Sequence, residues 1–304
     1  MTGLTPAQPR AAPLGSGGWS IRPADLGDRA RVSHLLDTAH WRHQHLDWFE
    51  ALDLLGQQPF LLALDGSEVV GCLACRPERP EVAWIRVFAV AGGRSLNRVW
   101  ELLWPEAEKA ARRAGAEVAA ALPTADWLPP LIERSGFAHL HDVVFLEWPG
   151  RAQAPTPTPS VGALRPMQVS DMAAVALTDA RAFAPIWRLS EESLRAALAQ
   201  SASASVVEVE GRPVGYQIST ASAIGAHLAR LAVDPGYQGR GLGTALVADA
   251  LRSLVRRGFH QVTVNTQSDN GPSLKLYARL GFLRTGRDCP VYWRALSEAG
   301  DPDR

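Results

Sequence analysis

The run Val233–Gly243, VDPGYQGRGLG, sets glycines at 239, 241 and 243 directly after an apolar, strand-like segment and directly before a helical one. Strand, glycine-rich turn and helix is the geometry of an anion site. The first amides of a helix have no internal acceptor and sit at the positive end of its dipole. Glycine lets the backbone approach a bulky phosphate and takes positive φ where that is needed. A P-loop would follow its last glycine with Lys and Ser/Thr, but Gly243 is followed by Thr244 and Ala245. A dinucleotide fingerprint would read G-x-G-x-x-G, and the spacing here is G-x-G-x-G. Two other groups invite metal or redox chemistry and support it poorly. Cys72 and Cys75 form C-x-x-C within EVVGCLACRP, which reads as a strand, so their side chains point to opposite faces and serve better as small core residues. His40, His43 and His45 in AHWRHQHLDWF have a pair one helical turn apart, but a polar helix face beside Trp41, Trp48 and Phe49 accounts for them without a metal.

The elements that must position the loop repeat along the chain. IRPADLGD from Ile21 matches LRPMQVSD from Leu164, LLALDGSEVVG matches VVEVEGRPVG, IRVFAV matches ARLAV, and IERSGF matches YARLGF. Arg22 and Arg165, Gly71 and Gly215, Val90 and Val233, and Phe137 and Phe282 stand at nearly one offset, the mark of a duplicated domain too long for a solenoid repeat. The expected organisation is a tail over 1–18, a domain over 19–150, a Pro-stiffened linker over 151–160, a second domain over 161–297 and a tail over 298–304. In the second copy GALRPM reads as a strand. Ser170-Asp171 caps a helical run, Ser190 caps a second helix, and Glu210-Gly211 turns a hairpin. Leu246, Val247, Ala250, Leu251 and Leu254 recur at helical spacing before Gly258, HQVTVNT is a strand, SLKLYARL is a helix closed by Gly281, and VYWRAL is a last strand. The class is α+β: two tandem domains, each a mixed, mostly antiparallel sheet flanked by helices.

The 304 residues carry 31 Lys+Arg and 31 Asp+Glu, so charge alone calls for neither nucleic acid nor an anionic membrane. No stretch approaches the roughly 18 apolar residues of a membrane span, and the N-terminal residues lack the apolar region of a signal peptide. With three cysteines, a disulfide scaffold is not indicated, and a cytoplasmic location is the expectation.

Gln238-Gly239-Arg240-Gly241-Leu242-Gly243 fits Gln/Arg-x-x-Gly-x-Gly/Ala, and NGPSLKLYARLGF fits Asn-x-x-Ala/Ser-x-x-x-Tyr-x-x-x-Gly-Phe. In this order and spacing the two motifs resemble those of the GNAT superfamily of N-acetyltransferases, strongly over 161–297 and, through the repeat, weakly over 19–149. The resemblance implies acetyl-CoA as co-substrate and no metal. Its pyrophosphate would lie on the amides of Gln238 to Thr244. Its pantetheine arm would pair with Leu231, Ala232 and Val233 in a V-shaped split between two strands. Asn270 and Ser273 would also contact the coenzyme. An amine would attack directly, and Tyr277 would protonate the leaving thiolate. His227, six residues before Val233, stands where arylalkylamine acetyltransferases carry a histidine base. Their second histidine is Ala229 here, so a relay is not implied, and Glu208 or a water chain is the alternative base. Phe183 and Trp187 stand in the region that covers the acceptor in this superfamily, where they serve equally as core residues. In the first copy Ser95 and Asn97 replace the closely packed glycines behind Gly92 and Gly93, Ile132 replaces the tyrosine, and Pro129-Pro130 interrupt the helix start, so this copy is expected to be degenerate. The expected partner is an amine, either a small molecule or a peptide N-terminus, with no nucleic acid and no membrane. The two copies could pack as a homodimer of single domains would, in a monomer. A coenzyme sensor without turnover is the competing reading.

Overall fold

A computed structural model describes residues 18–79, 81–150, 161–223 and 225–296. The expected tails, Gly18 excepted, and the expected linker 151–160 lie outside the described residues. The chain divides into two compact units. The first holds the residues up to Phe137 together with those from Arg294 on, and the second is Ala138–Trp293. Among the described residues no helix is long and apolar enough to cross a membrane.

The first unit contains β1 (Trp19–Pro23), α1 (Arg29–Thr38), β2 (Trp41–Gln44), β3 (Phe60–Asp65), β4 (Glu68–Ala74), β5 (Pro77–Arg79), β6 (Val82–Trp84), β7 (Val87–Val90), α2 (Leu96–Arg113), β8 (Val118–Ala121) and α3 (Pro129–Glu133). One sheet runs β1-β3-β4-β7-β2, and β8, β6 and β5 are successive neighbours in another. Val32 and Leu36 of α1 pack in one core with Phe60, Leu62, Cys72 and Val87. Cys72 and Cys75 are buried, and burial pushes both thiols up to about 12, which suits core residues and not a reactive pair.

The helical histidine face is not there. Trp41–Gln44 is a strand antiparallel to β7, with Trp41 opposite Val90 and Gln44 opposite Val87. A free ladder edge on β7 decides the conformation, and local spacing does not. His43 is buried with Nε2 3.0 Å from the Ile85 carbonyl, and the His45 ring stacks on Trp84 at 4.8 Å. Burial lowers His43 to about 4; burial, then the Arg86 charge, lowers His45 to about 3. Both are therefore neutral in the fold, whereas the unfolded chain protonates them near pH 6.5. Their contribution to stability is complete above that value and is lost as pH falls from 6.5 toward 4, by at most about 3 kcal/mol for His43 alone. The urea midpoint should accordingly drop between pH 7 and pH 5 by more in the native chain than in His43→Gln, and equal drops would refute the assignment.

The second unit contains β9 (Ala138–Trp148), β10 (Ala163–Pro166), α4 (Met172–Ala182), α5 (Glu191–Ala199), β11 (Ser203–Val209), β12 (Arg212–Ser222), β13 (Gly225–Val233), α6 (Leu242–Arg256), β14 (Val262–Gln267), α7 (Gly271–Arg279) and β15 (Leu283–Ala295), the last two residues of which fall in the first unit. The sheet order is β10-β11-β12-β13-β14-β9-β15, and only β13 and β14 pair in parallel. The position of β9 departs from the expected boundary. The strand that ends the first sequence copy lies between β14 and β15, with Trp148 opposite Val262 and Val143 opposite Gln267. That register buries Val144, Leu146 and Trp148 with Val262 and Val264 beneath α6. Gly150 follows at φ +66°, where a Cβ would stand 1.8 Å from the His260 carbonyl oxygen, so only glycine fits.

Several local expectations hold. Glu210 and Gly211 both take positive φ in the β11–β12 turn, and the Ser190 hydroxyl accepts from the Ser193 amide at the start of α5. Asp171 differs. Its carboxylate caps no amide of α4, but receives Arg165 at 2.7 and 2.8 Å and the Gln168 amide at 2.8 Å.

Candidate active site

The parallel pairing of β13 and β14 is short. Ala226, His227 and Leu228 face Val262, Thr263 and Val264, and there it stops, although β13 continues to Val233 and β14 to Gln267. On the other side of β13, a bulge at Ala229 shifts the register with β12: Leu228 is opposite Ser219 and Arg230 opposite Ile218. A bulge bends its strand and strengthens the local twist. Beyond it, β14 stays with β9 while the edge of Leu231–Val233 stands open. The V-shaped split expected from the resemblance is therefore present.

A cleft of about 460 Å³ occupies this region, lined by Leu231, Ala232, Val233, Gln238, Gly239, Gly241, Leu242, Gly243, Thr244, Asn270 and Ser273. The glycines divide their work. Gly239 and Gly241 both have φ +76° with open space where a Cβ would go, so backbone conformation alone demands glycine there. Gly243 has no positive φ. A Cβ on it would lie 3.3 Å from Leu276 Cδ2 of α7, so its role is close packing. Gly241 starts α6 without a capping side chain. Among the described residues nothing accepts from the amides of Gly239, Gly241, Leu242, Gly243 and Thr244. These donors lie at and just before the positive end of a helix of 15 residues, an arrangement that suits a diphosphate. The Gln238 side-chain amide donates to the Val233 carbonyl at 2.9 Å, its backbone N–H donates to the Pro235 carbonyl at 3.4 Å, and the Asp234 carboxylate receives the Gly236 amide at 2.9 Å, which fixes the turn.

Three expected residues stand differently from the rest. Arg240 does not line the cleft; its guanidinium reaches the Gly236 carbonyl at 3.3 Å and lies 5.2 Å from the Tyr237 ring centroid. Tyr277 is buried at 4% exposure with its ring 5.5 Å from Phe282, and it is Ser273, Leu276 and Arg279 of α7 that form the cleft wall. Burial raises the phenol well above its ordinary value, so it stays protonated across the neutral range. His227 lies at the closed apex of the split, off the cleft lining, with Nδ1 2.8 Å from Thr263 Oγ1. That hydroxyl donates to the Ala226 carbonyl at 3.3 Å, so it accepts from Nδ1–H, and Asn265 also hydrogen-bonds the ring. Burial lowers the His227 pKa against the opposing pull of Asn265 and Thr263. Asn270 lines the cleft but is also used structurally. Its carbonyl caps α7 at the Ser273 amide, 3.2 Å away, and its amide donates to Gln267 at 3.2 Å. Glu208 is engaged by Arg165 at 2.7 Å.

Phe183 lines the cleft, with Ala182 and Tyr237. Arg279 adds a cationic side chain that no motif signalled. A buried group beside the cleft also escaped the sequence: Arg230 binds Asp179 Oδ2 through Nε at 2.8 Å and Nη2 at 2.6 Å, and the Tyr216 hydroxyl donates to the same oxygen at 2.5 Å. Its only trace in the sequence is three polar residues within otherwise apolar patterns.

In the first unit the corresponding helix α2 is capped by its own side chain, the Ser95 hydroxyl taking the Arg98 amide, and the Asn97 amide oxygen receives Arg134 at 3.1 Å.

Comparison with known proteins agrees with this geometry. The model of the acetyltransferase (GNAT) family matches residues 171–282. A mycothiol acetyltransferase of a Nocardioides species is 42% identical over 62 residues, 20% of this chain and 21% of the relative. The N-alpha-acetyltransferase MAK3 of Arabidopsis thaliana is 38% identical over 61 residues, 20% of this chain and 32% of the relative. The matched segments thus span about a fifth to a third of these relatives. Among solved structures, a tandem GNAT protein from the clavulanic acid biosynthesis pathway aligns over 92% of this chain and 99% of its own, with TM-score 0.60 and 18% identity. A GNAT protein of Sphaerobacter thermophilus aligns over 91% and 96%, with TM-score 0.59 and 17% identity. At those identities the structures speak for the fold. Residues 171–282 thus carry a GNAT acetyltransferase domain.

Proposed function

We propose that the second unit transfers an acetyl group from acetyl-CoA to a primary amine by direct attack, without a covalent enzyme intermediate. One observation carries this reading: the edge of β13 opens at Leu231–Val233 and leads onto the unpartnered amides at Gly239–Thr244. The residues present fit the coenzyme. An open strand edge suits the amides of a pantetheine arm, as in strand addition, and five unpartnered N–H groups with Arg279 nearby suit its phosphates. Bound there, acetyl-CoA supplies an activated thioester. A backbone N–H along Leu231–Val233 would stabilise charge developing on its carbonyl oxygen. In this reading His227 would take the proton of the amine, and Tyr277 would donate one to the departing sulfur.

The test is titration with CoA followed by thiol release from acetyl-CoA with small amines, aminoglycosides, polyamines and peptide N-termini. Binding together with release for at least one amine is expected. The relatives' names point to different acceptors, so the panel spans both kinds. Because Tyr277 lies off the cleft lining, a coenzyme sensor is the second reading, and it is favoured if CoA binds and no amine releases thiol.

The base assignment has its own signature. Because the His227 pKa is lowered, the acid limb of the pH–rate profile should fall at a pH below 6.5, with the rate lost as His227 becomes protonated. His227→Ala should abolish that limb and lower the plateau about 100-fold. An unaltered profile removes His227 from the reaction.

A further inference from the structure

The strand ladders align the two units residue by residue. Gly71 is opposite Val90 on β4 and β7, and Gly215 is opposite Val233 on β12 and β13; Ala74 faces Val87 as Ile218 faces Arg230. In this alignment β7 is the counterpart of β13, and its outer edge is the counterpart of the coenzyme slot. In the first unit that edge is filled by the chain itself. Trp41–Gln44 runs antiparallel along Val87–Val90, and the backbone amides of His40 and His45 donate to the carbonyls of Val90 and Arg86 at 3.1 and 2.8 Å. The counterpart of β2 in the second unit is the α4–α5 segment around Pro185–Trp187, which forms a 3-10 turn and leaves the edge of β13 open. One segment therefore has two fates.

The residues that differ behind it explain why. Where the second unit holds buried Asp179 and Tyr216 and half-buried Arg230, the aligned positions of the first are Leu36, Cys72 and Val87, all buried in one apolar cluster. The polar group of the second unit grips the α4–α5 segment at three points. The Arg230 guanidinium lies 3.6 Å from the Phe183 ring centroid, Arg230 Nη2 donates to the Trp187 carbonyl at 2.6 Å, and Asp179 Oδ1 receives the Leu189 amide at 2.9 Å. The Trp187 ring also stacks on His141 of β9 at 5.6 Å. In the first unit a valine in place of the arginine can neither stack on the ring nor reach the carbonyl.

We infer that Arg230, oriented by Asp179 and Tyr216, is a positioning residue that keeps the coenzyme slot of the second unit open by pinning the α4–α5 segment, and that the first unit, lacking this group, has its own slot closed by β2. The inference rests on the reading that the slot beside Leu231–Val233 takes coenzyme A. Arginine suits the task because its planar fork binds a carboxylate, a carbonyl and an aromatic face at once, which a lysine cannot do.

The decisive variant carries the first-unit residues at four positions: Asp179→Leu, Tyr216→Cys, Arg230→Val and Pro185→Arg. Arg42 stands where Pro185 does, and proline cannot donate to a ladder. Replacing the whole ion pair leaves no buried charge uncompensated. Hydrogen exchange without coenzyme should show the amides of Leu231–Val233 exchanging more slowly than in the native chain, a change that simple destabilisation cannot produce. A slot closed nine times in ten should raise the apparent Kd for CoA about tenfold. A folded variant with native exchange at 231–233 and native affinity overturns the inference. Should this variant lack a cooperative melt, Arg230→Lys decides. It keeps a charge beside Asp179, so Tm should hold while exchange at 183–189 quickens and CoA affinity falls; native values for both overturn the inference. If the native chain itself binds no CoA, it is the reading of the slot that fails, and exchange at 231–233 still tests the latch.

Discussion

Gly241→Val is expected to remove most of the coenzyme affinity while leaving the fold in place. At φ +76° an L-residue costs about 1–2 kcal/mol, and a β-branched one is the least tolerant. The space around the missing Cβ is open, so no clash is added and the penalty is in the backbone alone. The chain relieves it by rotating out of the left-handed region, which turns the amides of Gly241 and Leu242 out of their present orientation. Hydrogen bonds to a charged acceptor contribute about 1.5–3 kcal/mol each, so losing even one raises Kd by roughly 10- to 150-fold. Calorimetric titration with CoA, alongside a thermal melt, separates the effects: a small loss of Tm and a large loss of affinity are expected. Gly243→Ala is the internal contrast. Its Cβ would press on Leu276 at 3.3 Å without disturbing a positive φ, so its effect should fall on the α6–α7 packing first. Native CoA affinity in Gly241→Val would mean that the phosphates do not lie on this turn.

Tyr277→Phe is expected to lower kcat by about 10² to 10⁴, the usual worth of a positioned general acid, with the Kd for CoA nearly unchanged. The substitution keeps the ring that packs on Phe282, so the core it belongs to loses only a hydroxyl. Burial holds the phenol protonated well above neutral pH, the state a proton donor needs. The outcome also separates the two readings of the site. A variant that turns over as the native chain does takes Tyr277 out of the reaction and leaves it as the core aromatic its 4% exposure allows. A drop in kcat at constant CoA affinity sets the hydroxyl at the leaving group.

The parts of this site that were legible in the sequence are those set by neighbours a few residues away. Positive φ at Gly239 and Gly241, the Ser190 cap and the Glu210-Gly211 turn leave a mark in residue type, because only certain side chains tolerate them, whereas the packing of Gly243 on the next helix became visible only in the structure. Arg279 left no such mark. It belongs to the cleft only because one turn of α7 faces the loop. The Arg230–Asp179–Tyr216 group was equally hidden, since its members are far apart in sequence and meet only across α4, β12 and β13. The histidines at 40–45 misled for a related reason. Their spacing permits a helix, and the free edge of β7 made them a strand.

The sequence by itself determined the duplication, the α+β class, and the glycine turn and helix start with their unpartnered amides. Tertiary structure alone decided which strand lies beside which: that β9 joins β14, that β13 parts from β14 beyond Leu228, and that β2 fills in one unit the edge left open in the other. The physical reason lies in the hydrogen bonds. A helix or turn satisfies its donors within about four residues, so its own side chains encode it. A strand satisfies them on whichever edge is free, and that choice is made by the packing of distant residues.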